Sequence, residues 1–225
     1  MDDIVRQALA KWPDVPACYG WLLLDRRGNW RMRDEAVQRE QGLGTPIRHA
    51  ALNAFIVRNY DVDESGQWYF QNGPQRVYVE LEYAPWVVRL IEGSDGALVL
   101  TDQTGAQWEP NGCWLDDRGA IVFSGRVIGD LGGDPAGDSR ERVGVLHDHD
   151  LDLFADRLED SETGSAKVVG LSDLPGKPDV PNMPHDAQQQ HFIWQDGTSL
   201  PVQTIRAEEL GQRFGFVASP AQRVT

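Results

Sequence analysis

The stretch Trp21-Leu-Leu-Leu-Asp25-Arg-Arg-Gly28-Asn-Trp30-Arg-Met-Arg33 is two short apolar runs about a turn. Arg27-Gly28-Asn29 supplies residues that tolerate a positive φ, so the pattern predicts a β-hairpin. Downstream, Ala51, Leu52, Phe55, Ile56 and Tyr60 recur at helical spacing and predict an amphipathic helix over about Ile47–Tyr60. Trp68-Tyr-Phe70 and Val77-Tyr-Val-Glu-Leu81 flank Asn72-Gly73-Pro74 as a second hairpin, and Trp86 to Ile91 reads as a further strand. Hairpin, helix, hairpin, strand is the grammar of an α+β fold rich in strands.

The pattern then starts again. Leu98–Thr101 and Ala106–Trp108 flank a turn, and Cys113-Trp-Leu-Asp116-Asp-Arg118-Gly119-Ala-Ile-Val-Phe123 echoes the first hairpin. Leu146 to Leu158 echoes the first helix at one constant offset: Ile47 meets Leu146, Leu52 meets Leu151, Phe55 meets Phe154 and Arg58 meets Arg157. The expectation is two related hairpin–helix–strand motifs from a degenerate internal duplication, with a small C-terminal extension. The second copy is expected to return through Ser165–Leu171, too short for a full hairpin.

The expected divisions are 1–92, with an N-terminal helix over Asp2–Trp12 ended by Pro13, and 93–174 for the second motif. A Pro/Gln-rich linker comes next at 175–190, where four prolines fall. Residues 191–225 supply a hairpin, a short helix at 207–213 and a covering strand at Phe214–Val217.

Formal net charge is −14 over 225 residues. Residues 1–92 hold 13 acids and 11 Lys/Arg, whereas 93–225 hold 22 and 10. A nucleic-acid partner needs a basic footprint and is not expected. Apolar runs are only a few residues long, so no membrane span is expected. Met1-Asp-Asp-Ile-Val-Arg6 lacks the basic and apolar regions of a secretory leader. A cytoplasmic protein with Cys18 and Cys113 as free thiols is the expectation.

His147-Asp148-His149-Asp150 has metal-ligand chemistry, but its histidines are two apart, a spacing that does not share a helix face. Asp148 or Asp150 fits an N-cap for the following helix, and no metal and no cofactor is expected. The glycine-rich run at 129–137 lacks the Lys and hydroxyl of a phosphate loop, and its aspartates would repel phosphate. No nucleophile elbow is present.

The richest surface lies in the first portion, where Trp30, Arg31, Arg33, His49, Trp68, Tyr69, Gln71, Asn72, Arg76 and Tyr78 mix aromatic faces with fixed donors. Arg76, Tyr78, Trp30, His49 and Trp68 are the candidate ligand-binding residues, suited to a small anionic or planar ligand or a protein partner. The competing structural role is that Trp68, Phe70, Val77 and Val79 are core and the arginine stems cover a sheet.

Gly20-Trp-Leu-Leu-Leu-Asp25, Trp30-Arg-Met-Arg33, Phe70-Gln-Asn-Gly-Pro-Gln-Arg-Val-Tyr-Val-Glu80 and His191-Phe-Ile-Trp-Gln-Asp196 resemble an uncharacterised proteobacterial family of unknown function, over most of the chain. More remotely, Gly28-Asn-Trp30, Gly66-Gln-Trp-Tyr69, Glu82-Tyr-Ala-Pro-Trp-Val87 and Thr101-Asp102 resemble another unknown-function family with repeated structural motifs and a suggested signal-transduction role. The acid typical of that family before Ala-Pro is Tyr83 here. The resemblance implies a repeated α+β architecture and a non-enzymatic ligand-binding or regulatory role, and it assigns no residue a function. The alternatives are an enzyme with a site between the two motifs, or a structural protein-interaction module.

Overall fold

The computed structural model describes residues 1–128, 141–160, 190–195 and 198–221. They form two units: residues 1–85 with 211–221, and 86–210.

The first unit runs α1 (Asp3–Lys11), β1 (Cys18–Leu24), β2 (Trp30–Met32), α2 (Glu35–Arg39), β3 (Thr45–Pro46), α3 (Ala50–Arg58), β4 (Tyr60–Val62), β5 (Trp68–Asn72) and β6 (Gln75–Leu81). Its sheet has the order β3-β2-β1-β6-β5-β4. β1 and β6 are parallel and every other neighbouring pair is antiparallel. The second unit runs β7 (Trp86–Glu92), β8 (Leu98–Asp102), β9 (Gln107–Asp116), β10 (Ile121–Ile128), β11 (Arg142–Leu146), α4 (Leu151–Ala155), β12 (Leu158–Asp160), β13 (Gln190–Gln195) and β14 (Thr198–Ile205), and the last helix, α5 (Leu210–Phe214), belongs to the first unit from Gly211 on.

Within the second unit, β10, β11, β7, β8 and β9 pair in succession and β9 pairs again with β10, closing a five-stranded barrel. Closure removes the sheet edges, and Trp108, Phe123, Leu100, Val88 and Val145 are sealed from solvent. The far end of the long β9 leaves the barrel to pair in parallel with β14. The resulting run β11-β10-β9-β14-β13-β12 repeats the order of the first sheet, including the single parallel pair. In each unit a helix phenylalanine lies on a strand phenylalanine: Phe55 on Phe70 at 5.4 Å, and Phe154 on Phe192 at 4.9 Å.

One turn recurs at four hairpins. Asp25, Asp63, Asp102 and Asp116 each stand three residues before a glycine with φ between 79° and 86°. Each carboxylate accepts the amide N–H groups two and four residues on. The Asp therefore supplies the turn's acceptor and the Gly its left-handed backbone, which a β-carbon would strain.

The observed boundary differs from the expected one at 92. Trp86–Glu92 is hydrogen-bonded to β8 and β11, so it belongs wholly to the barrel. The chain after Ile205 is likewise divided. Leu210 closes the second unit, while Val217 bridges Gln67 and Ala218 accepts the Leu81 N–H in the first. Instead of a covering strand at Phe214–Val217 there is this isolated bridge. The expected linker, the glycine-rich run and Ser165–Leu171 lie outside the described residues, except Gln190 and the linker's junction with β13. The strand parallel to β9 is Thr198–Ile205. Among the described residues no helix is long and apolar enough to cross a membrane.

Candidate functional site

Strand pleating divides the first unit's sheet into two unlike faces. One face packs on α3 and is apolar: Leu22, Leu24, Trp30, Phe70, Val79 and Leu81 are all buried there. On the other, Tyr69 stands opposite Tyr78, Gln71 opposite Arg76, and Leu23 opposite both Glu80 and Arg31.

That second face carries a network. Tyr19 stacks on Tyr78 at 4.5 Å with the rings 6° apart, and Tyr69 meets Tyr78 edge-on at 5.9 Å. The Tyr78 hydroxyl donates to Asp63 Oδ2 at 3.0 Å, tying the strand to the β4–β5 turn. The Arg76 guanidinium lies 4.6 Å over the Tyr69 ring and is exposed. A cation on an aromatic face with its outer edge in water is positioned to donate a planar fork to an anion.

Titration within the network follows from its own contacts. Burial would raise the Asp63 carboxyl, but donors from Ser65, Gln67 and Tyr78 outweigh it and hold it below the usual range. Burial, reinforced by Asp63, pushes the Tyr78 phenol up against the opposing pull of Arg76. Burial would lower Arg76, but Tyr78, Tyr69 and Asp63 outweigh it and raise it. Each group moves away from neutrality, whereas a general acid or base works best near the operating pH.

The five candidate residues do not converge. Arg76 and Tyr78 share the network face. Trp30 and Trp68 lie on the α3 face against Tyr60, at 5.1 and 4.7 Å, Trp30 buried in the core and Trp68 half-buried beside it. His49 is exposed at the start of α3, and its Nδ1 accepts the Leu52 N–H at 3.2 Å, a capping role. Tyr19 was missed, because its place beside Tyr78 depends on the irregular β1–β6 register around Gly20.

The carboxylate caps expected at 148 or 150 are replaced by another arrangement. His147 caps the short 3₁₀ turn at Asp148–Asp150, accepting the His149 N–H at 3.1 Å. Asp150 makes no cap. It takes the Arg89 guanidinium at 2.6 and 2.9 Å and the Leu90 N–H at 3.0 Å. Ligand-type atoms of His147, Asp148 and His149 do lie within 4.8 Å of one another. However, His147 Nδ1 is already engaged by the His149 amide, and the Arg89 charge nearby, which together with burial lowers the His147 pKa, also opposes a cation. Exhaustive dialysis against a chelator is expected to leave the melting temperature unchanged, and a stoichiometric transition metal surviving it would assign the cluster to metal.

Both cysteines are free thiols, Cys18 half-buried and Cys113 buried, and burial raises the pKa of each. Neither is activated as a nucleophile.

The family model described as "Protein of unknown function (DUF2946)" matches residues 1–221. The chain belongs to this family. A solved DUF1285 family protein from Silicibacter pomeroyi DSS-3 is 15 % identical, with 93 % of this chain and 98 % of that chain covered at a TM-score of 0.42. No curated protein matches. Membership of the DUF2946 family accords with the expected unknown-function domain and transfers no role to any residue.

The lowered carboxyls of Asp25 and Asp63 carry a pH consequence. At Asp25 burial would raise the group, but Arg31, Asn29 and Arg27 outweigh it. A depressed folded-state pKa contributes stability that is present above the unfolded value of about 4. That contribution is lost as pH falls through the lowered folded values. A chemical-denaturation series below neutrality should show it, and Asp63→Asn should reduce the slope.

Proposed function

We propose that this protein is a non-enzymatic cytoplasmic module, ligand-binding or regulatory, that holds a small anionic or planar molecule at Arg76 against Tyr69 and Tyr78. The observation that carries this reading is the exposed Arg76 guanidinium 4.6 Å over a tyrosine ring, beside a hydroxyl fixed by Asp63. The aromatic cluster holds the cation in place, so less ordering is needed when an anion arrives.

Duplication is part of the same reading. It is supported by the common strand order, the single parallel pair in each copy and the Phe-on-Phe contact in each. The Tyr–Arg network belongs to the first copy. At the ladder position of Tyr69 and Phe70 the second copy has His191 and Phe192, so the apolar residue is kept and the tyrosine is not. On this reading the first copy diverged toward binding.

Two substitutions test the site. Arg76→Ala should cost only about 0.5–1 kcal/mol of stability, the worth of an exposed cation–π contact. It should weaken binding of the co-purifying molecule by roughly tenfold or more, the worth of a charged hydrogen bond. Tyr78→Phe should cost about 1–2 kcal/mol, because it removes the donor to Asp63. Arg76→Ala with lowered stability and intact binding would return Arg76 to a structural role.

A further inference from the structure

Arg33 lies outside the Arg76 network and presents a separate problem of charge. The residue is only 7 % exposed, and its Nε is sealed from solvent without an acceptor. Among the described residues its guanidinium has no hydrogen bond, ion pair or aromatic partner. The nearby acids are committed elsewhere. Asp25 takes Arg31 at 2.6 Å, and Asp34 takes the Val37 N–H at 2.9 Å. A guanidinium does not shed its proton in a protein, so burial cannot be relieved by neutralisation. The unmet buried donor is Nε; the two Nη groups are not among the sealed atoms, so that edge of the fork meets water rather than a protein acceptor.

The surroundings form a row across the sheet. Leu22 pairs with Met32 and Met32 with Thr45, so the next row is Trp21, Arg33 and Gly44. The Arg33 N–H donates to the Trp21 carbonyl at 2.9 Å, in keeping with that register. Side chains directly opposite one another share a sheet face, with Cβ atoms about 4.5–5.5 Å apart. Trp21 is 41 % exposed, a large indole left in water on the same sheet face as Arg33. On the other side, Gly44 keeps space beside Arg33. A β-carbon there would stand 2.9 Å from Arg33 Cγ and 2.2 Å from the Met32 carbonyl oxygen, at a φ of +80°.

We infer that Trp21 and Arg33 form a second binding site, independent of Arg76, for an oxyanion, phosphate or carboxylate, carried on a planar apolar body. The oxyanion supplies the acceptors that the Arg33 fork lacks, and the body covers the Trp21 ring. Arg31, already neutralised by Asp25, borders the site without competing for the anion.

The test uses the full ¹⁵N-labelled chain, tracking the Arg33 Nε–H and Trp21 indole signals at constant ionic strength. Phenyl phosphate, benzoate and inorganic phosphate are titrated in turn. The inference predicts saturable shifts of both signals with phenyl phosphate or benzoate, and weaker binding of inorganic phosphate, which lacks the ring. The stronger of the two aromatic ligands identifies the oxyanion. Arg33→Lys keeps a charge in the same place, so it guards against simple unfolding. It should weaken binding roughly tenfold or more, since an ammonium cannot reproduce the planar fork. Trp21→Ala should remove the advantage of the aromatic ligands, and Arg76→Ala should leave binding here intact. An Arg33 signal unmoved by all three compounds would overturn the inference. So would undiminished binding in Arg33→Lys, or loss of the response in Arg76→Ala.

Discussion

Asp102→Ala should cost about 3–5 kcal/mol of unfolding free energy, the usual penalty for removing one partner of a buried ion pair. Its side chain has no exposure. One oxygen closes the β8–β9 turn through Thr104 and Ala106, while the other accepts the Trp108 indole at 2.9 Å and Arg142 at 3.3 Å. Removal strands a buried indole N–H and a guanidinium that is only 13 % exposed, in addition to losing the turn. Arg142 also lies 4.3 Å over the Trp86 ring, so its displacement would disturb a second barrel strand. Asp95 offers a control, since it accepts the Ala97 N–H in an exposed turn of the same barrel. Asp95→Ala should cost about 0.5 kcal/mol or less. Urea unfolding of the two variants provides the comparison, and similar small losses would show that the aspartate is dispensable to the barrel.

Asp150→Ala should cost about 2–3 kcal/mol, because it removes a forked ion pair and the acceptor of the Leu90 amide together. Arg89 keeps 45 % side-chain exposure and can recover water, which holds the loss below that of Asp102. A carboxylate acting only as a helix cap would be worth about 1 kcal/mol. Asp148→Ala, at a 35 % exposed side chain, should stay below about 1 kcal/mol. Denaturant midpoints for the two aspartates therefore decide between an ion pair and a cap. Equal losses would contradict the ion-pair account.

What could be read from sequence was mostly local. Asp25-Arg-Arg-Gly28 marks its hairpin because the side-chain acceptor and the left-handed glycine lie within one turn. The helix expected over 47–60 is found at Ala50–Arg58, set by apolar spacing and stopped at Asn59, whose amide reaches back to the Phe55 carbonyl. Barrel closure was not legible. β7 pairs in parallel with β11 more than fifty residues away, and nothing in either strand names its partner. The parity of β6 did place Arg76 and Tyr78 on one face and Val79 in the core. Trp30 and Trp68 looked like site residues by composition, but pleating turns them toward α3 and Tyr60. Arg33 was visible only as one arginine among several. Its distinction is that Asp25 went to Arg31, and that choice exists only once the hairpin has folded.

Native mass spectrometry of the wild-type chain and Arg76→Ala, both purified from the protein's own cells, tests the central claim most directly. The binding account predicts a small molecule retained by the wild type, released on gentle activation, and lost from Arg76→Ala while thermal stability is nearly kept. A wild-type chain of bare mass, or one whose adduct survives in Arg76→Ala, would contradict the assignment of that face as the ligand site.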